Sequence, residues 1–91
     1  MLIGVEKQMH KVVGIIGGMG PSATALLFQK LIDYTDATVD SEHIHVIIDN
    51  NTSIPDRTTA ILNGENTPAL YVCESGKKLV QCGAELILIP C

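Results

Sequence analysis

Leu86-Ile87-Leu88-Ile89-Pro90-Cys91 closes the 91-residue sequence, and its reading decides the fold. Four consecutive Leu and Ile residues without polar alternation have the pattern of a parallel strand covered on both faces. Ligands of open parallel sheets bind beyond the carboxyl ends of the strands, so this strand would carry a thiol, Cys91, to the rim of a binding crevice. Upstream, two further β-branched runs, each followed by a loop and a helical pattern, repeat the arrangement. The expected fold class is α/β, a three-layer α/β/α unit with a parallel sheet in strand order 2-1-3.

Working backwards from Cys91, residues 67–82 begin with Thr67-Pro68, a cap followed by a proline at the helix start. Val72, Cys73, Gly76, Leu79 and Val80 then recur at helical spacing, and Gly83 is placed to cap the carboxyl end. Asp56 opens a short helical stretch through Leu62, stopped by Asn63-Gly64. Ile44, Val46, Ile47 and Ile48 form a strand ending at Asp49-Asn50-Asn51. The polar connection 38–42 precedes it. Leu27, Phe28, Leu31 and Ile32 give the apolar stripe of a helix running from Pro21 to about Ala37. The first strand, 11–16, ends in Gly17-Gly18-Met19-Gly20-Pro21, a sharp turn into that helix. Residues 1–10 lack a clear period and are read as an amino-terminal extension, which leaves 11–91 as one α/β lobe.

Composition narrows the function. Hydrophobic residues make up 46% and charged residues 18%, an apolar balance suggesting that the lobe expects more cover than it supplies itself. A net charge of -4 and a pI near 5.1 provide no basic surface for neutralising phosphates, so no nucleic-acid partner is expected. No apolar run approaches the roughly 18 residues of a membrane span, and the first residues lack a signal peptide's apolar core, so a cytoplasmic location is expected. Cys73 and Cys82 lie nine residues apart, about 900° of helical turn. They therefore face opposite ways and do not bridge, in keeping with a reducing compartment.

The parallel arrangement brings three loops to one edge of the sheet: residues 17–21, residues 50–57, and Cys91. The turn Gly18-x-Gly20-x-x-Ala23 fits a dinucleotide fingerprint, with Asp49 where a ribose-binding acid would stand. It fits equally a turn that needs glycines for its backbone, or a helix start that receives a small carboxylate. Pro21 removes one N–H from that helix start. Asn50, Asn51, Thr52, Ser53 and Arg57 collect amides, hydroxyls and one guanidinium. Arg57 can fork onto a carboxylate or pair with Asp56. His43 and His45 have a metal-compatible spacing but no third ligand, so no metal site is expected. Asp33, Asp36, Asp40 and Glu42 read as a solvated face and loop. Cys91 is either a small apolar side chain or a nucleophilic or basic thiol.

Taken in order, Gly14-Ile15-Ile16-Gly17-Gly18-Met19-Gly20-Pro21, Ala23-Thr24, Ser53-Ile54-Pro55-Asp56-Arg57-Thr58, Cys82-Gly83-Ala84-Glu85 and Ile89-Pro90-Cys91 resemble the amino-terminal half of the aspartate/glutamate racemase family. The resemblance runs from about Lys11 to Cys91. It implies one lobe of a two-lobe amino-acid racemase that uses no pyridoxal phosphate or other cofactor, in which two cysteines face the substrate Cα from opposite sides. It gives Cys91 the place of the first catalytic cysteine and Arg57 that of the carboxylate-binding arginine. Gly18, Met19, Asn50 and Asn51 would line the substrate pocket. Thr52 and Ser22 depart from the family pattern, at positions usually proline and apolar.

The implied partner is a small amino-acid substrate, and the full-length family enzyme is expected to be a homodimer. The sequence is read as truncated at the catalytic cysteine, without the second one, and so as inactive alone. A different class of function, a non-catalytic module binding an amino acid or a nucleotide, stays open on the residues themselves.

Overall fold

A computed structural model describes residues 11–56, 61–62, 64 and 67–90. Three strands, β1 (Val12–Gly17), β2 (His45–Asn50) and β3 (Leu86–Leu88), form a parallel sheet in the order β2-β1-β3, as the sequence pattern requires. Helix α1 (Pro21–Tyr34) connects β1 to β2, together with a single 3-10 turn, Asp40–Glu42. Helix α2 (Thr67–Gln81) leads into β3. Ile61 and Leu62 are helical and belong to the short stretch expected after Asp56, most of which lies outside the described residues.

β1 is central because it can be buried on both sides. Val13, Ile15 and Ile16 are all buried, and Gly14 allows α2 to approach: a β-carbon there would stand 3.0 Å from that of Ala84 and 3.2 Å from that of Leu79. The main core lies between the sheet and α2, where Ile16, Ile54, Leu79 and Ala84 cluster with Met19, Ile47, Tyr71, Val72 and Ile87 packed against them. α1 covers the opposite face through Thr24, which is buried, and through the half-buried Leu27 and Leu31.

Local chemistry sets the element ends. α1 stops at Tyr34, three residues short of the expected Ala37, because Thr35 leaves the helical conformation while its hydroxyl donates back to the Leu31 carbonyl. The side chain thereby satisfies a carbonyl that the next helical turn would have used. α2 ends as expected at Gly83, whose φ of +103° suits glycine. There the Gly83 N–H donates to the Val80 carbonyl (3.0 Å) and the Ala84 N–H to that of Leu79 (2.9 Å), a Schellman cap. Glu85 then joins β1 twice, its N–H on the Val12 carbonyl (2.7 Å) and its carboxylate accepting from the Val12 N–H (3.3 Å), which sets the register of β3.

Two readings change. The run at 86–89 is not covered throughout: Ile87 packs on the core, but Leu86, on the other face, is 51% exposed, and Ile89, beyond the strand's end, 46%. On the face opposite α2, helix α1 packs against β1, while Leu86 of β3 is exposed and Leu88 half-buried. The apolar stripe of α2 is also rotated from the expected one. Ser75 and Leu79 are buried, whereas Cys73 and Val80 are exposed, so the helix seats on Val72, Ser75 and Leu79.

Candidate functional site

The carboxyl ends of β1 and β2 meet because the register pairs Gly17 with Asn50. Immediately beyond this pair, the Asn51 N–H donates to the Gly17 carbonyl at 3.0 Å, carrying the parallel pairing one residue into the loop. Gly18 lies against the Asn51 backbone: a β-carbon on Gly18 would fall 2.2 Å from the Asn51 carbonyl oxygen. With φ at +106° as well, this position requires glycine on two grounds. Of the readings open for the glycine turn, the need for backbone space is thus met directly.

Thr24 fixes the turn from the helix side. Its hydroxyl accepts from the Gly18 N–H at 3.1 Å and donates to the Gly20 carbonyl at 3.1 Å. The Gly18 N–H, one of the donors a pyrophosphate would use, is therefore engaged inside the protein. Pro21 offers none.

Asn51 holds the second loop. Its side-chain oxygen accepts from the Ser53 N–H (3.0 Å), and its Nδ2 donates to the hydroxyl of Ser75 (3.1 Å), a fully buried residue of α2. The loop closes with Ile54 in the core and its N–H directed at the Asn51 carbonyl (3.4 Å). Asn50 is exposed at the strand tip, while Met19 is half-buried against the main core beside the glycine turn. The structure thus brings Gly18, Met19, Asn50 and Asn51 to one edge of the sheet. Arg57 and Cys91 lie outside the described residues. Asn51 differs from the expectation in one respect: both ends of its side chain are taken up by the fold.

Sequence reading overlooked Thr24 and Ser75 as parts of this edge. Thr24 could have been found, because a hydroxyl four residues after a glycine at a helix start can reach back to that residue's carbonyl. Ser75 had no such local signal.

Asp49 faces the α2 side of the sheet opposite Ile16, and its Oδ2 is buried without a hydrogen-bond partner. The Nδ1 of His43 is likewise buried and unpaired. Among the described residues no three His, Cys, Asp or Glu side chains are grouped to hold a metal, and no helix is long and apolar enough to cross a membrane. An apolar groove of about 330 Å³, lined by Phe28, Leu31, Ile32, His43, Ile44, Val46 and Asp40, lies at the opposite end of the sheet, where β2 begins and α1 finishes. Glu42 is at that end too. Its carboxylate is held below the ordinary glutamate range, first by the hydroxyl of Thr38 (2.8 Å) and then by the N–H groups of Thr38 (3.0 Å) and Val39 (3.1 Å).

A parallel sheet with helices on both faces, its carboxyl edge built by a glycine turn seated on an amide-bearing loop, defines an α/β lobe of the kind that receives small ligands beyond its strand ends. The chain belongs to the Asp/Glu/hydantoin racemase family, whose model matches residues 16–91. Its structure is similar to that of the aspartate racemase of Picrophilus torridus, with 38% sequence identity and a TM-score of 0.79 over 87% of this chain. The chain spans 34% of that protein's length.

Proposed function

We propose that this chain is the amino-terminal lobe of a cofactor-independent racemase acting on acidic amino acids, with its substrate held beyond the carboxyl ends of the three strands. The observation that carries this reading is the junction of Gly18 with Asn51. It brings the glycine turn and the polar loop to one edge, and the course of β3 delivers the chain toward that edge as well. Arg57, six residues beyond Asn51, binds the substrate carboxylate through paired N–H bonds, and the N-terminal end of α1 adds a favourable potential for that anion.

Cys91 is one of two acid/base groups. As thiolate it takes the Cα proton and becomes a thiol, while a second thiol from the other lobe delivers a proton to the opposite face and becomes a thiolate. The proton count balances, and the two cysteines exchange roles in the reverse direction. The guanidinium of Arg57 stabilises the negative charge that moves onto the carboxylate as the Cα–H bond breaks. Since the second thiol comes from the other lobe, the 91-residue chain binds substrate but does not racemise it.

Titration calorimetry with L-aspartate, L-glutamate and NAD tests the pocket. Binding of an acidic amino acid that is weakened at least tenfold by Arg57→Ala is expected; binding of NAD with no response to aspartate or glutamate overturns the reading in favour of a nucleotide module. Incubation with L-aspartate in D2O should leave the Cα proton in place. Deuterium incorporation that disappears in Cys91→Ser would overturn the need for a second lobe.

A further inference from the structure

We propose that Ser75 is a positioning residue for the ligand loop, acting through Asn51. This deepens the reading of the carboxyl edge as an amino-acid site and rests on it for the ligand. Ser75 is a polar residue on the sheet-facing side of α2, with 0% exposure, in the layer between helix and sheet that holds Ile16, Leu79 and Val72 and also Asp49. Burying a hydroxyl among apolar groups is costly unless it is hydrogen-bonded. Here its partner is the Nδ2 of Asn51, 24 residues earlier in the chain, at 3.1 Å.

Asn51 is not a neutral partner. Its other side-chain atom receives the Ser53 N–H, its own N–H is on the Gly17 carbonyl, and its carbonyl lies against Gly18. One residue therefore couples α2 to both loops of the site, through its side chain to Ser75 and Ser53 and through its backbone to the glycine turn. The Ser75 hydroxyl selects the Asn51 rotamer. That rotamer directs Oδ1 at the Ser53 N–H, and so fixes the start of the ligand loop. With the hydroxyl removed, Nδ2 loses its buried partner and the amide can rotate away from Ser53. The glycine turn keeps its own support from Thr24.

The test compares Ser75→Ala with Ser75→Thr in the whole chain by amide hydrogen exchange and aspartate titration. In Ser75→Ala, exchange at Ser53 should rise about tenfold and affinity for L-aspartate should fall about tenfold, as loss of one part-buried hydrogen bond would give. The amides of β1 should keep their protection. Ser75→Thr retains the hydroxyl but crowds a filled site. It should lower global stability, yet restore slow exchange at Ser53 and the aspartate affinity.

A purely packing role for Ser75 predicts the opposite order, with Thr more harmful to the loop than Ala, and that result overturns the proposal. So does unchanged exchange at Ser53 in a folded Ser75→Ala. If the unsubstituted chain binds no acidic amino acid, the ligand reading fails separately, and exchange at Ser53 alone upholds or overturns the latch. Should neither variant fold, the side-chain amide protons of Asn51 in the unsubstituted chain decide: exchange slowed by at least tenfold relative to an exposed Asn supports the latch, and exchange at the exposed rate overturns it.

Discussion

Gly18 and Asn51 touch backbone to backbone at the tips of adjacent strands, so closely that a β-carbon on Gly18 would lie 2.2 Å from the Asn51 carbonyl oxygen. Neither strand end can move without the other. Gly18→Ala should therefore destabilise the fold by about 3 kcal/mol or more, combining a backbone clash with a φ of +106° that alanine resists. Gly20 is the control. A β-carbon there meets nothing within 4 Å and its φ is -109°, so Gly20→Ala should cost only about 1 kcal/mol, for the loss of a favoured helix cap, in urea denaturation.

Thr24 links the Gly18 N–H to the Gly20 carbonyl through one buried hydroxyl. Thr24→Val keeps the shape and removes both bonds, leaving a part-buried donor without its partner, and should cost about 1–3 kcal/mol. Thr24→Ser retains the oxygen and loses only a methyl group. Urea midpoints should rank the parent first, Ser second and Val last; a Val variant as stable as the parent would show that the turn does not depend on these bonds.

α2 sits on the sheet where Gly14 leaves room for it. A β-carbon at 14 would be 3.0 Å from the Ala84 β-carbon and 3.0 Å from Ile87 Cδ1, so the larger Gly14→Val should overpack the interface and cost about 1–3 kcal/mol or more. Leu79→Ala acts in the opposite sense, opening a cavity under a residue 2% exposed, with an expected loss of about 2–5 kcal/mol. Thermal unfolding followed by circular dichroism measures both.

Glu42 gives the fold a pH dependence away from the proposed site. Its carboxylate is depressed below the ordinary 4.5, chiefly by the Thr38 hydroxyl and then by the Thr38 and Val39 N–H groups. The charged form is thus favoured in the folded chain. Its stabilising contribution is present above pH 4.5 and is lost as pH falls through the lowered folded value. Glu42→Gln should accordingly melt below the parent at pH 7, with the gap narrowing in acid; a gap that is constant with pH would exclude this carboxylate as the cause.

Much of the fold was legible locally. Gly83 ends α2 as a glycine cap because helix termination is set by a handful of consecutive residues. The order β2-β1-β3 follows from parallel strands joined by crossovers. The ordered motifs from Gly14 to Cys91 likewise carried the family. Periodicity was less exact about faces. Leu27 and Leu31 of the α1 stripe are half-buried, but Phe28 is 39% and Ile32 37% exposed, because a helix resting on a three-stranded sheet covers only a narrow strip.

By itself the sequence determined which segments become strands and helices and the family to which the chain belongs. Those properties reside in short runs of neighbouring residues. Tertiary structure alone decided that Asn51 turns inward to Ser75, that Gly18 packs against the Asn51 backbone, and that Leu86 of β3 is exposed among the described residues. The physical reason is that a hydrogen bond across 24 residues, or the lack of a covering layer, depends on how whole elements dock. A pattern of neighbours records which face of a helix is apolar, but not which buried hydroxyl will find its partner in a distant loop.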